Sequence, residues 1–78
     1  MARYYFDSMV SGALVEDEEG KELAEFALVR HYALDGLADI ARHTIPQGAP
    51  YVAIHVRSEA GEIVYSVAVS VTEETARP

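Results

Sequence analysis

The sequence predicts an α+β domain, a two-layer sandwich with one long helix on a sheet of three or four strands, antiparallel or mixed. Three observations predict it. A segment with helical periodicity covers residues 22–44. Two segments of alternating apolar residues, 51–57 and 62–71, follow the helix. An aromatic segment, 3–7, precedes it. With a short optional strand after the first one, the element order is β-(β)-α-β-β.

The first strand is predicted over residues 3–7, Arg-Tyr-Tyr-Phe-Asp, because aromatic residues favour strands. Alternation places Tyr4 and Phe6 on one face. The other face carries Arg3, Tyr5 and Asp7. Since an unpaired carboxylate is rare in a core, Tyr4 and Phe6 are expected to face the helix. Gly12 marks a turn, after which residues 13–15 form a candidate second strand running back along the first.

The helix is predicted over residues 22–44 from a broad apolar arc on the helical wheel. That arc contains Leu23, Phe26, Ala27, Ala33, Leu34, Leu37, Ala38, Ile40 and Ala41. Acidic residues at its start and Arg42 and His43 at its end suit the helix dipole. Pro46, Gly48 and Pro50 prevent the helix from continuing and predict a loop over residues 46–50.

The last third of the chain is predicted to be a hairpin. In residues 51–57, Val52, Ile54 and Val56 alternate with more polar residues, and residues 62–71 alternate in the same way. A turn over residues 58–61 joins the two strands, with a glycine where φ is able to be positive. The polar tail, residues 72–78, is expected to fray.

Length, composition and charge restrict the class of protein. The chain has 78 residues, so residues 1–78 are expected to form a single domain with a thin core. It has no cysteine, which excludes disulfides and zinc–thiolate sites. A net charge of −7 has the wrong sign for binding a nucleic acid backbone. No apolar run approaches a membrane span and no signal-peptide pattern is present, so a cytoplasmic protein without a membrane partner is expected.

Several short motifs together resemble a known family. They are the opening Arg-Tyr-Tyr-Phe at residues 3–6, an Asp-Glu-Glu-Gly turn at residues 17–20, Glu22-Leu23 before a helix, and a closing strand pair at residues 52–57 and 61–69. In order and spacing they resemble a family of small, functionally unassigned proteins of soil and plant-associated bacteria. The resemblance covers residues 3–71. It implies a bacterial, cytoplasmic protein with this element order, and it implies no activity, substrate or catalytic residue.

The sequence departs from that family at two places. Relatives often carry Asp-Gly shortly after the first strand, where this chain has Ser11-Gly12. They often carry Pro-Asp at the helix start, where this chain has Ala24-Glu25. Because of the first departure, no role is predicted for a charged first loop in this chain. The second departure predicts a weaker helix start.

The acidic turn at residues 16–19 is the most obvious chemical feature. It has two interpretations: a loop that binds a divalent cation or a basic partner, and a solvated turn before a helix. A calcium loop alternates its ligands and ends on a glutamate twelve residues along, and that register is absent. The solvated turn is therefore favoured.

Arg30 falls near the centre of the predicted apolar arc, where an unpaired charge would be costly. It is expected to form a buried ion pair with Asp7 or with Asp17 and its neighbours in the acidic turn. The functional alternative makes Arg30 an anchor for an anionic ligand or for the carboxylate of a partner.

The sequence contains no recognisable catalytic or metal-binding motif. His31, His43 and His55 share neither a helix face nor a spacing of four residues, so a metal site is not expected unless a symmetric dimer builds one. Glycine-rich phosphate loops and nucleophile elbows are also missing. The expectation is a protein that is not an enzyme and that uses no cofactor.

The sheet face away from the helix is the strongest indication of function. That face is expected to be apolar and aromatic, and such patches usually contact another chain. The interface candidates are Tyr5, Tyr51, His55, Val64 and Ser66 on the sheet, with Leu28 and Tyr32 on the outer side of the helix. A homodimer is expected, because self-association is a common remedy for a small core.

Three functions compete on this evidence. The first is a non-catalytic module that binds other proteins and forms a homodimer. The second is an acidic protein that neutralises a basic partner, as small antitoxins do, by electrostatic complementarity. The third is a binder of a small anionic ligand, or an enzyme, that uses Arg30, Asp7 and His55.

Overall fold

The structure, a computed structural model, describes residues 1–76. It contains one helix, α1, and five strands within that range. Their bounds are β1 Ala2–Val10, β2 Ala13–Val15, β3 Lys21–Leu23, α1 Phe26–Thr44, β4 Tyr51–Arg57 and β5 Ile63–Ser70. The predicted α+β class is confirmed: α1 packs on one face of an antiparallel sheet.

The sheet has the strand order β2-β1-β4-β5, and β3 pairs with β1 as well. Strand β1 is long enough to pair with two short strands in turn: β3 pairs with Ala2–Tyr4 and β2 pairs with Ser8–Val10. We call this side of β1 the covered edge and the outer side of β5 the free edge. The sheet is therefore wholly antiparallel and has one strand more than the three or four predicted.

The core lies between α1 and the central strand β4. Its most buried apolar residues are Val29, Ala33 and Leu37 on the helix and Val52, Ile54 and Val56 on β4. Tyr4 and Phe6 pack against this cluster from β1, as predicted, and Val67 and Val69 do so from β5. The three valines on α1 and β4 are fully enclosed, so the centre of the sheet is the best-packed part of the molecule.

The helix begins at Phe26, four residues later than predicted, because residues 21–23 form β3 instead. Glu25 precedes the helix in an extended conformation and makes no side-chain cap, and no acidic residue lies in the first turn. The prediction of acids at the positive end of the dipole is therefore wrong. Arg42 and His43 do occupy the last turn.

The face that α1 buries also differs from the predicted arc. Val29 has no exposed surface, although the arc omitted it, whereas Ala27 and Ala38 are exposed. The predicted arc was broad and had alanines at its margins. An alanine is small enough to fit a buried or a solvated position equally well. The sheet selects the narrower stripe through Val29, Ala33 and Leu37.

Strand β1 is longer than the predicted 3–7, because Ser8–Val10 pair with both β2 and β4, whereas the remaining boundaries agree closely with the predictions. The short strand β2 is present, β4 has the predicted bounds, and β5 is one residue shorter at each end. Gly61 in the hairpin turn has φ +91°, as expected. Residues 72–76 form no regular secondary structure, and the last two residues of the predicted frayed tail, 77 and 78, lie outside the described residues.

Candidate functional site

The acidic turn closes the covered edge of the sheet. Phe6 lies on β1 between the residues that pair with β3 and those that pair with β2, so its N–H has no strand partner there. The carboxylate of Asp17 supplies one: the Phe6 N–H donates to Asp17 Oδ2 at 3.0 Å. A side chain thereby replaces the missing segment of strand, and the edge offers no free donor at this position.

The second carboxylate oxygen of Asp17 organises the turn itself. It accepts the N–H groups of Glu19 and Gly20 at 3.1 and 3.2 Å. Burial, the largest single influence, tends to raise the pKa of Asp17, but the three N–H donors and the charge of Arg57 together lower it. Asp17 therefore stays ionised as a structural anion that holds the loop to β1.

Asp7 and Arg57 form the main buried ion pair. Arg57 Nε donates to Asp7 Oδ2 at 2.6 Å and its Nη2 donates to Asp7 Oδ1 at 3.1 Å. Arg57 Nη2 also donates to the Asp17 carbonyl, and the Asp17 N–H donates to Asp7. Burial is the largest influence on the pKa of Asp7 and tends to raise it, but the hydrogen bonds and charge of Arg57 and the Asp17 N–H lower the pKa overall. The pair joins β1, β4 and the acidic turn.

The predicted pairing of Arg30 is wrong. Arg30 is exposed on α1, and among residues 1–76 it makes no ion pair or side-chain hydrogen bond. The reason is that Asp7 points to the sheet face opposite the helix, where Arg57 of the neighbouring strand reaches it. The anionic-ligand hypothesis required Arg30, Asp7 and His55 to lie together in one site. The structure does not bring Arg30 to the sheet face that carries the other two.

The described residues contain no cluster suited to a metal ion. No group of three or more His, Asp or Glu side chains within residues 1–76 is placed to hold one. His43 Nδ1 lies 2.8 Å from the Asp39 carbonyl within α1, and His55 Nδ1 lies 2.9 Å from Ser66 Oγ on the sheet. His31 is exposed on the helix. The three imidazoles therefore serve separate parts of the surface.

One half of the sheet face away from the helix, the far face, is charged. Beside the Asp7–Arg57 pair, Arg3 pairs with Glu22 at 3.2 Å. The guanidinium carbon of Arg57 lies 4.9 Å from the centre of the Tyr5 ring, a cation–π contact. Tyr5 is therefore half-buried against its own chain, and the expectation of an apolar and aromatic far face is wrong for this half.

The other half of the far face is apolar. The strand register places Leu14, Met9, Ala53 and Ala68 in one row across four strands. Leu14 is 55% exposed at one end of the row, whereas Ala53 in the centre has no exposed surface. Ala53, in the central strand β4, therefore adds nothing to the exposed surface of this row. The uncovered apolar surface is smaller than predicted.

The free edge is formed by β5 alone. The Val71 N–H donates to the Pro50 carbonyl at 3.0 Å. Val69, two residues before Val71, lies opposite Val52 and therefore also directs its backbone groups toward β4. Residue pairs of an antiparallel ladder alternate between hydrogen-bonded and non-hydrogen-bonded positions. Ser66, Ala68 and Ser70 occupy the non-hydrogen-bonded positions, so their backbone N–H and C=O groups are directed away from β4. No strand within residues 1–76 pairs with them. Strand β5 contains no charged residue and no proline, the usual means of protecting an edge.

The predicted interface residues are divided among these surfaces. Val64 and Tyr51 are exposed at opposite ends of the hairpin, and Ser66 is exposed beside His55. Leu28 is exposed on α1. Tyr32 is also partly exposed, but its ring lies 4.8 Å from the Phe6 ring, over the covered edge. The structure therefore does not bring these residues together in one patch.

Sequence reasoning missed the structural role of Arg57 and of the Asp17 carboxylate. Strand alternation puts Asp7 and Arg57 on the same face of the sheet, but their pairing follows only once β1 and β4 are known to be neighbours. The contact of Asp17 with Phe6 had no such signal, because it depends on the gap between β2 and β3.

Among residues 1–76, no helix combines the length and the apolar character needed to traverse a bilayer. Comparisons with curated proteins and with solved structures gave no match. A comparison with protein-family models matched residues 3–70 to a domain of unknown function (DUF6894). The match includes the helix and the strands described above, except for Ala2 at the start of β1, in agreement with the resemblance to an unassigned family. The chain therefore belongs to the DUF6894 family.

Proposed function

We propose that this protein is a non-catalytic module that binds other proteins and forms a homodimer through the free edge of its sheet. The observation that carries the proposal is β5: an uncharged strand whose outward backbone groups have no partner within residues 1–76. Such a strand is a template for pairing with another chain. A bacterial, cytoplasmic protein is part of the proposal, supported by the resemblance described above and by the cysteine-free sequence.

A second copy fits this edge because an antiparallel pair of identical strands is self-complementary about a two-fold axis. On the far face the outward-directed residues of β5 are small: Ser66, Ala68 and Ser70. On the helix side Val67 and Val69 are only partly covered by α1, and a neighbouring strand would shield them further. Joining two sheets would also enlarge the thin core of a small domain.

Charge repulsion opposes this assembly and makes it depend on the salt concentration. Each copy carries a net charge of −7, and Glu62 directly precedes β5, while Glu73 is the third residue after it. In an antiparallel pair the beginning of one strand lies near the end of the other, so these acids approach each other. Salt screens such repulsion, and we therefore expect dimerisation to strengthen as ionic strength rises.

Sedimentation equilibrium at micromolar concentration tests the proposal with two variants of equal charge. Ala68→Lys places an ammonium group on the free edge, and Ala38→Lys places one on the exposed side of α1. We expect a dimer for the wild type and for Ala38→Lys, and a monomer for Ala68→Lys. A monomeric wild type at high salt, or equal dimerisation of both variants, would contradict the proposal.

The acidic charge also supports a second candidate, an antitoxin-like protein that masks a basic partner. An extended segment with basic flanks would pair with β5 and meet the acids at its ends. This complex would weaken with added salt, in contrast to the homodimer. A neighbouring gene for a small basic protein, and co-purification of the two products at low salt only, would favour this candidate over the homodimer.

A further inference from the structure

One side of α1 is directed toward the free edge of the sheet. The Phe26 ring packs edge-on against Tyr65 of β5, with the ring centroids 5.7 Å apart. Because residues four apart lie on the same side of a helix, Arg30 and Leu34 continue the side that begins at Phe26. We call Phe26, Arg30 and Leu34 the free-edge side of α1. Phe26 is 52% exposed in spite of its contact with β5, Arg30 is exposed and Leu34 is half-buried.

The acidic residues of α1 lie on its other side. Tyr32 packs on Phe6 of β1, over the covered edge, and Asp35 and Asp39 line a cavity together with Tyr32. These two aspartates are the only acids of the helix. In a chain with a net charge of −7, α1 therefore presents a side without acids toward the free edge. The one charge there is the cation of Arg30, which pairs with no acid among residues 1–76.

Pairing through β5 alone is small for a stable dimer. The strand has eight residues. Its edge is about 26 Å long and about 10 Å thick, so it covers about 260 Å² on each copy in projection. Specific protein interfaces bury about 800 Å² on each partner. A stable dimer through the free edge therefore needs a further contact beside the paired strands.

Strand spacing brings a second helix within contact distance. Two identical antiparallel strands are related by a two-fold axis perpendicular to the sheet, so both helices lie on the same face. Within each copy α1 packs mainly on β4 and β5, so its axis lies about one strand spacing from the two-fold axis. With strands about 4.8 Å apart, the two helix axes are about 10 Å apart in such a dimer. Packed helices are typically about 8 to 10 Å apart.

From this spacing and from the charge distribution on the helix, we infer that the free-edge side of α1 packs against the same side of α1 in a second copy. The contact rests on the proposed homodimer and adds to it: the strands pair at their edges, and the helices pack side by side, antiparallel, above them. Leu34 lies at the middle of α1 and packs near the two-fold axis. Val67 and Val69 of β5 become enclosed below the helices. Arg30 is attracted by the acidic charge of the second copy.

Sedimentation equilibrium of two leucine variants tests the helix contact. Leu34→Glu places a carboxylate on the free-edge side, and Leu28→Glu makes the same change at an exposed leucine one turn before Tyr32, over the covered edge. We expect the dissociation constant of the dimer to rise at least about tenfold for Leu34→Glu and to stay within about twofold of the wild type for Leu28→Glu. Equal dissociation constants for the two variants would overturn the inference.

A second pair of variants keeps the test independent of the half-buried leucine. Arg30→Glu and Arg42→Glu have the same net charge, and both arginines are exposed on α1. Arg30→Glu should weaken the dimer at least about fivefold more than Arg42→Glu, because only Arg30 faces the second copy. The same weakening in both would show that only the net charge matters and would reject the contact.

Dilution of the ¹⁵N-labelled wild type locates the contact without a substitution. In NMR spectra, the amides of Arg30 and Leu34 should shift with protein concentration together with those of β5, whereas the amides of Leu28 and Tyr32 should not. Shifts confined to β5 would reject the helix contact.

The outcomes for the helix contact and for the homodimer are distinguishable. Loss of the dimer in Ala68→Lys, without an effect of Leu34→Glu or Arg30→Glu, would support the edge pairing and reject the helix contact. A monomeric wild type at high salt would reject both.

Discussion

The two edges of the sheet are built in opposite ways. At the covered edge β1 is flanked by β2 and β3, and Asp17 fills the gap between them. At the free edge β5 presents unpaired backbone groups and carries neither charge nor proline. The comparison indicates that the covered edge is closed by contacts within the chain, whereas the free edge is the part of the sheet for which we propose association. The predictions below test that division.

The strictest steric requirement of the covered edge is at Gly20. Its φ is +73°, and a Cβ there would lie 2.9 Å from Tyr5 Cε2 and 3.0 Å from the Tyr4 carbonyl oxygen. We expect Gly20→Ala to reduce the free energy of unfolding by about 3 kcal/mol, since it combines a left-handed backbone with a clash. Urea denaturation measures this change.

Gly12 provides the matched control for that measurement. Its φ of +91° is also positive, but a Cβ there would contact nothing within 4 Å. Gly12→Ala should therefore cost only about 1 kcal/mol, the conformational part alone. Equal losses for the two variants would show that the turn does not pack on β1 as described.

The next largest effect is expected at Asp7. Asp7→Asn keeps the shape of the side chain but removes the charge that Arg57 and the Asp17 N–H bind. Because the group is buried, we expect a loss of about 2 kcal/mol in urea denaturation. Asp39→Asn removes an exposed ion pair with Arg42 and should change stability by less than about 0.5 kcal/mol. Similar losses for both would refute the special role of the Asp7 pair.

Stability should also depend on acid pH through the covered edge. The pKa values of Asp7 and Asp17 are lower in the folded protein than the ordinary value of 3.8. The unfolded chain therefore takes up protons first as the pH falls, and the stabilisation present above that value is lost on further acidification. Thermal unfolding from about pH 6 downward should show this decline. The double variant Asp7→Asn, Asp17→Asn should flatten it, and an unchanged slope would contradict the assignment.

The smallest effect on monomer stability is expected at the free edge. Ala68→Lys lies on an exposed part of β5 whose backbone groups face outward, so it should change the free energy of unfolding by less than about 0.5 kcal/mol. Urea denaturation at concentrations too low for dimerisation isolates this value. A loss comparable to that of Asp7→Asn would mean that β5 belongs to the stabilising part of the fold, and the division between the edges would fail.

Much of the fold could be predicted because its signals are local. The alternation of Val52, Ile54 and Val56 defined β4 to the residue, and the proline-rich loop after Thr44 located the end of the helix. The start of the helix could not be located in the same way. Residues 21–23 suit a helix by composition, but they pair with β1, and that pairing depends on a partner about twenty positions away in the chain.

The candidate site was less predictable than the fold. Arg30 was chosen as the buried cation because the broad apolar arc of α1 placed it near the centre. The helix packs instead on the stripe through Val29, so Arg30 lies at the margin and is exposed. The far face was expected to be apolar, but strand register brings Asp7 and Arg57 together there.

The sequence alone determined the class of the fold, the inward position of Tyr4 and Phe6 and the turn at Gly61, since periodicity and glycine conformation act over a few residues. Only the tertiary structure decided which stripe of α1 is buried, which cation pairs with Asp7 and which edge of the sheet stays open. Those outcomes depend on contacts between segments distant in the chain, and several pairings of similar local chemistry compete for each of them.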